Sequence, residues 1–154
     1  MLDAERIQLL QSMPVFGGVS QQGVVFLMQR ATLQRVARGN YFFHQGDTAA
    51  SMFVIESGRV NVIKKQDGKE VLMRELGQGD CFGEMALLDL YPRSSSIVAS
   101  TPCSVIEISQ KALFELYRED LEQFTIIQMN IGREISRRLR LSDEQLFHYG
   151  SSQC

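Results

Sequence analysis

The sequence predicts an α+β fold that is mainly β, an antiparallel roll flanked by helices at both ends. Between about residue 32 and residue 109, short apolar runs alternate with glycine-bearing turns at Gly39, Gly46, Gly58, Gly68, Gly77 and Gly79. That rhythm belongs to short strands in a closed or sandwiched sheet. On either side of this region the apolar residues recur at helical spacing. No Pro-, Gly- or Ser-rich linker divides the chain, and it holds no internal repeat or low-complexity segment.

Residues 3–11 are expected to form a short helix with an apolar stripe of Leu2, Ile7, Leu9 and Leu10, closed by Pro14. Residues 20–29 form a second, with Ser20 as N-cap and Val24, Val25, Leu27 and Met28 as its apolar residues. Met52-Phe53-Val54-Ile55, Val60-Asn61-Val62-Ile63, Val71-Leu72-Met73, Ile97-Val98 and residues 104–109 have strand composition. Gln66-Asp67-Gly68-Lys69 joins two of them as a hairpin turn, because Asp-Gly tolerates the left-handed backbone a tight turn needs. Ser109 caps a helix running to about Arg118. Asp120 caps the next, with Gln123 three residues on as in a capping box. That helix carries Phe124, Ile127, Ile131, Ile135 and Leu139 along one face. Ser142 with Gln145 reads as a second start signal, so a break or bend is expected near Leu141, with the structure ending at Gly150.

The chain's 154 residues suit one compact domain. We divide it into N-terminal helices (1–30), a roll (31–109) and C-terminal helices (110–149), within a single domain spanning 1–154. Hydrophobic residues make up 44% and charged residues 22%, a globular balance. The net charge of −2 provides no global basic field for nucleic acid. The start, Met-Leu-Asp-Ala-Glu-Arg, lacks the basic and apolar regions of a signal peptide, and no apolar run approaches a membrane span. Cys81, Cys103 and Cys154 are odd in number and lack a C-x-x-C pair, which argues against a disulfide framework or a zinc site. Cys81 and Cys103 read as small core residues. A reducing cytoplasm fits this usage. His44 and His148 are the two histidines. No Ser-His-Asp or Cys-His arrangement and no His-rich metal set is legible, so neither a catalytic nor a metal site is expected.

Chemistry concentrates in one string, Phe82-Gly83-Glu84-Met85-Ala86-Leu87, followed by Pro92-Arg93-Ser94-Ser95-Ser96. A guanidinium grips two oxygens of an anion with paired, charge-assisted bonds. Backbone N–H groups in a glycine-bearing turn add to that grip. A carboxylate so close to an anion would repel it, and must face a neutral hydroxyl instead. An isolated Glu and Arg in a polar loop would make only a weak surface pair.

The string resembles the phosphate-binding cassette of the cyclic nucleotide-binding domain family, whose pattern is F-G-E-x-A-L, a short variable stretch, then Arg and two small residues. The resemblance covers nearly the whole chain. It implies a β-roll or jelly roll of about eight strands, with the cassette at 82–96, N-terminal helices before it and the family's B and C helices after it. It implies a ligand site of Phe82, Gly83, Glu84, Met85, Ala86, Arg93, Ser94 and Ser95. Arg93 would take the phosphate, Glu84 the ribose 2′-hydroxyl, and the N–H groups of Gly83 and Ser95 would complete the cradle. In relatives the base lies against apolar strand residues, and the matching positions are Val62 and Met73, with Leu72 as a further candidate; plain core is the other reading. Arg74 stands where cyclic GMP-dependent kinases place a guanine-reaching Arg, and it also reads as a solvated strand residue. Ser94 suits either nucleotide, so cyclic AMP and cyclic GMP both stay open. Ser142 and Asp143 fall where catabolite-activator relatives place base-contacting hydroxyls, and Asp143 departs from that pattern. Phe147 or Tyr149 is a candidate lid, core or interface packing being the other reading. Arg133, Arg137, Arg138 and Arg140 read as a solvated helix face, or as partners for acids of another subunit.

The resemblance therefore implies a regulatory sensor that binds cAMP or cGMP, performs no chemistry and needs no cofactor besides that ligand. The helices after Ser109 would fold over the base or repack. A homodimer through the last helix is expected, with an output partner whose identity stays open and no direct contact with nucleic acid or membrane. The helix-turn-helix of the catabolite activators would need a further segment. The alternative is a ligand-free interaction subunit that keeps the roll and acts through a partner protein.

Overall fold

The computed structural model describes residues 3–84 and 91–152. Helix α1 (Ala4–Gln11) leads through a 3₁₀ turn (Pro14–Phe16) to α2 (Gln21–Met28). Among the described residues eight strands follow: β1 (Thr32–Val36), β2 (Tyr41–Phe43), β3 (Ser51–Ser57), β4 (Val60–Gln66), β5 (Lys69–Leu76), β6 (Cys81–Phe82), β7 (Ser96–Ala99) and β8 (Cys103–Ser109). Helices α3 (Gln110–Glu119) and α4 (Leu121–Ser152) close the chain. The strands make two four-stranded sheets, ordered β1-β8-β3-β6 and β2-β7-β4-β5, with all neighbouring strands antiparallel. The fold is thus a β-roll with flanking helices.

Burial explains the strand composition. In β3, Met52 and Val54 face the helices while Phe53 and Ile55 face the opposite sheet. Both faces of this strand are covered, so it reads as an unbroken apolar run instead of an alternation. Burying each such side chain contributes about 1.5–3 kcal/mol. The helix-side core gathers Leu10, Phe16, Val24, Leu27, Leu113, Leu116, Ile127 and Ile131 over the first sheet. The second core, around Phe53, Phe82, Ile97 and Val105, lies between the sheets.

Local signals appear where the residue types require them. The hydroxyls of Ser20 and Ser109 accept from the N–H groups of Gly23 and Ala112 as N-caps. Asp67 and Gly68 have φ of 54° and 78°, the paired left-handed turn of the β4–β5 hairpin. Asp120 accepts from the N–H of Gln123, but no reciprocal capping box forms, because Gln123 Oε1 accepts from the N–H of Ser20 at 2.7 Å. Asn130, 6% exposed, donates to the carbonyls of Val15 and Gly17 and pins α4 to the 3₁₀ turn.

Three expectations are corrected. Helix α4 does not break near Leu141 or end at Gly150; the Ser142 hydroxyl donates back to the Arg138 carbonyl four residues earlier and leaves the helix intact. Leu9 is exposed, so the apolar stripe of α1 narrows to Ile7 and Leu10 among the described residues. The stripe of α4 is divided: Ile127 and Ile131 are consumed by the chain's own core, whereas Leu139, Leu141, Leu146 and Phe147 are exposed. Among the described residues no helix is long and apolar enough to cross a membrane. Cys81 and Cys103 are buried free thiols.

Candidate functional site

Arg93 sits just before β7, where its backbone is clamped: its N–H donates to Asp47 O, and its carbonyl accepts from Gly46 N–H. Its side chain is only 6% exposed. Nη1 donates to the Gly83 carbonyl at 2.9 Å and Nη2 to the Ser51 carbonyl at 2.7 Å. The guanidinium carbon lies 4.1 Å from the centroid of the Phe43 ring, a cation–π contact. Burial pulls the guanidinium below its ordinary pKa, opposed by the charges of Glu107, Asp47 and Glu84. Nε is buried without a partner among the described residues, an uncommon state for a charged donor. Gly83 has φ of +80°, and a Cβ there would stand 2.7 Å from Arg93 Nη1. This position needs both a left-handed backbone and the absence of a side chain.

Glu84 is 3% exposed. Its Oε1 accepts from Arg138 Nη1 at 2.7 Å, while Arg138 Nη2 donates to the Cys81 carbonyl at 2.6 Å. Arg138 Nε, like that of Arg93, is buried and unpartnered among the described residues. Helix α4 is thereby tied to the turn that carries Glu84. Cys81 beside it has its thiol pushed up to about 12, first by burial and then by the Glu84 charge. It is no nucleophile at neutral pH.

These groups face one cavity of about 350 Å³. Its floor is Phe43, Phe82 and Ile97; Val62, Arg74 and Leu76 form a wall from β4 and β5; α4 contributes Ile135, Arg138, Leu139 and Ser142. Gly83, Glu84, Pro92, Arg93, Ser94 and Ser95 complete the lining. Burial lowers the pKa of Arg74 too, and Arg138 adds to that effect while Glu84 opposes it. Three guanidiniums and one carboxylate thus line an otherwise largely apolar cavity, which suits an anion carrying an apolar, hydrogen-bonding body.

Of the site residues expected from sequence, Phe82, Gly83, Glu84, Arg93, Ser94, Ser95, Val62 and Arg74 all line this cavity. Met85 and Ala86 lie outside the described residues. Met73 is corrected: it is 51% exposed and away from the cavity. Successive strand residues point to opposite faces, and Arg74 and Leu76 take the inward one. The register passes from Val62↔Arg74 to Ile63↔Leu72, so Met73 is the unpaired residue of a bulge. Leu72 is exposed as well. Arg138 is the residue that sequence reading missed, having been placed on a solvated face. Its spacing held the signal: it lies three residues after Ile135 and four before Ser142, on the inward stripe, whereas Arg133, Arg137 and Arg140 project elsewhere. Phe147 and Tyr149 are exposed and do not line the cavity. Among the described residues no cluster of metal-ligating side chains occurs.

Residues 33–120, more than half of the chain, match the model of the cyclic nucleotide-binding domain. The chain is 29% identical over 142 residues to the cyclic AMP receptor protein of Thermus thermophilus, covering 89% of this chain and 62% of that protein. It is 35% identical over 105 residues to the cAMP-activated global transcriptional regulator CRP of Salmonella typhimurium, covering 67% of this chain and 48% of the regulator. A crystallised cyclic nucleotide-binding domain from Methylobacillus flagellatus superposes with a TM-score of 0.82 at 25% identity, covering 92% of this chain and 80% of that one. The chain belongs to the cyclic nucleotide-binding domain family. It spans between about half and three-fifths of the curated relatives it matches.

Proposed function

We propose that the chain is a regulatory sensor module that binds a cyclic mononucleotide in the cavity between the roll and α4 and performs no chemistry on it. The observation that carries this reading is the pairing of two buried, oppositely charged anchors, Arg93 and Glu84, on either side of the Gly83 turn. Arg93 takes the ring phosphate, with its unpartnered Nε turned to use. Glu84 accepts from the ribose 2′-hydroxyl, and the base lies against Val62 and Leu76. Arg138 is the transmitter. It bonds the same carboxylate that receives the ribose, so ligand entry alters the hold of the cassette on α4 and shifts the population of helix positions.

The receptor relatives are named for cyclic AMP, and cyclic AMP or cyclic GMP is the ligand proposed here. Arg74 bears on the choice, since a guanidinium matches the acceptor edge of guanine and meets a donor on adenine. Displacement of a fluorescent cyclic nucleotide by cyclic AMP, cyclic GMP and inorganic phosphate tests the reading. Micromolar or tighter displacement by one cyclic nucleotide, with none by phosphate, supports it. Absence of any displacement refutes it.

A second reading has its own observation. Both anchors already hold protein partners, Arg93 two carbonyls and Glu84 an arginine. A ligand-free subunit acting through a partner protein would look the same, and the displacement panel separates the two. The exposed Leu139, Leu146 and Phe147 on α4 further support a homodimer through this helix. Light scattering that gives a monomer at high concentration, with and without nucleotide, refutes the dimer.

A further inference from the structure

Among the described residues no carboxylate contacts the guanidinium of Arg93, which leans on two carbonyls and a ring. Yet one of those carbonyls belongs to Ser51, 7% exposed at the start of β3. The hydroxyl of Ser51 donates to Glu107 Oε2 at 2.6 Å. Glu107, half-buried on β8, is itself held by Gln34 from β1, whose Nε2 donates to Oε1 at 2.6 Å. Three neighbouring strands of one sheet therefore converge, through side chains, on the residue whose backbone docks Arg93.

The geometry points to Ser51 and Glu107 as positioning residues for Arg93, forming a relay that fixes the guanidinium while keeping its counter-charge one residue away. The physical reason is competition. A carboxylate in direct contact with Arg93 would occupy the donors that a phosphate needs, and an incoming anion would have to displace it. A guanidinium left with no acid nearby would be costly to bury. Setting Glu107 behind a serine meets both demands. Its field opposes the effect of burial on Arg93, while its oxygens are taken by Ser51 and Gln34. Ser51 also lies beside Gly83, since a Cβ on that glycine would meet the Ser51 carbonyl at 3.4 Å. A shift of Ser51 therefore disturbs both carbonyls that hold Arg93. The role in binding rests on the sensor reading above; the role in holding the guanidinium does not.

Two measurements test it. The first uses the full chain without nucleotide. Nitrogen-15 NMR of the Arg93 side chain, assigned by its loss in Arg93→Lys, reports rotation of the guanidinium about its Cζ–Nε bond. Rotation in Ser51→Ala and in Glu107→Gln is expected about fivefold faster or more, with Ser51→Thr restoring the slow rate. Rotation unchanged in both Ser51→Ala and Glu107→Gln overturns the relay, and Glu107→Gln serves should Ser51→Ala fail to fold. The second is a binding cycle with cyclic AMP and cyclic GMP as probes. Ser51→Ala is expected to weaken binding about five- to tenfold when Arg93 is present and not at all beside Arg93→Ala. An equal loss in both backgrounds marks a merely structural role and overturns the proposal. Should the wild type bind neither probe while its guanidinium rotation still depends on Ser51, the sensor reading fails and the relay stands.

Discussion

Replacing Arg138 with methionine removes a cation from a buried pair while keeping most of its volume. Arg138 makes two charge-assisted bonds, to Glu84 at 2.7 Å and to the Cys81 carbonyl at 2.6 Å, with side-chain exposures of 14% and 3% across the pair. Cutting one partner of a fully buried pair costs about 3–5 kcal/mol. Because the Arg138 side chain is partly exposed and the pair lines a cavity, we take the lower range of about 1.5–3 kcal/mol for a lost bond to a charged group. For a domain of this size each kcal/mol moves the melting temperature by about 2–4 °C, so Arg138→Met should melt roughly 3–12 °C lower. The decisive comparison is Glu84→Met with Arg138→Met together. Removing both charges leaves no orphan carboxylate, and the double variant should regain most of the loss. Thermal melts of the four proteins at one pH and salt give the coupling directly. A double variant as unstable as the sum of the singles, or an Arg138→Met protein that melts with the wild type, refutes the claim that Glu84 and Arg138 form one buried unit.

Three further outcomes are expected. Gly83→Ala forces a side chain into a left-handed backbone and against Arg93 Nη1; nucleotide binding measured by calorimetry should fall by about 10- to 100-fold, the loss of one charge-assisted grip. Asn130→Ala leaves the carbonyls of Val15 and Gly17 without their buried donor, and urea titration should show a loss of about 1–3 kcal/mol. Cys81, its thiol raised to about 12, should react with a thiolate-seeking reagent at pH 8 about a thousandfold more slowly than an exposed thiol, because the thiolate fraction falls tenfold for each unit by which the pKa exceeds the pH. The rate should rise with pH or on unfolding, as mass spectrometry of its peptide would record.

Much of the fold was legible because the decisive signals were local. Ser20, Ser109 and Asp120 cap helices through their own backbone neighbours, and Asp67-Gly68 turns a hairpin within four residues. The anchors Glu84 and Arg93 were legible because a short string carries both. What escaped were features settled by packing. Arg138 sits among other arginines in sequence, and only the wrapping of α4 across the roll singles it out to meet Glu84. Met73 was a reasonable apolar wall until a bulge moved it outward and gave its place to Arg74. Ser142 has the composition of a cap, yet within a continuous helix its hydroxyl finds the carbonyl of Arg138. Ser51 and Glu107 lie 56 positions apart and meet only because β3 and β8 pair.

The most direct test is isothermal titration of the wild type and Arg93→Ala with cyclic AMP and with cyclic GMP. The account predicts saturable one-site binding of at least one nucleotide, weakened about 10- to 100-fold by the substitution, as expected for about 1.5–3 kcal/mol of charge-assisted bonding. Equal affinities in the two proteins, or no heat of binding for the wild type with either nucleotide, would contradict it.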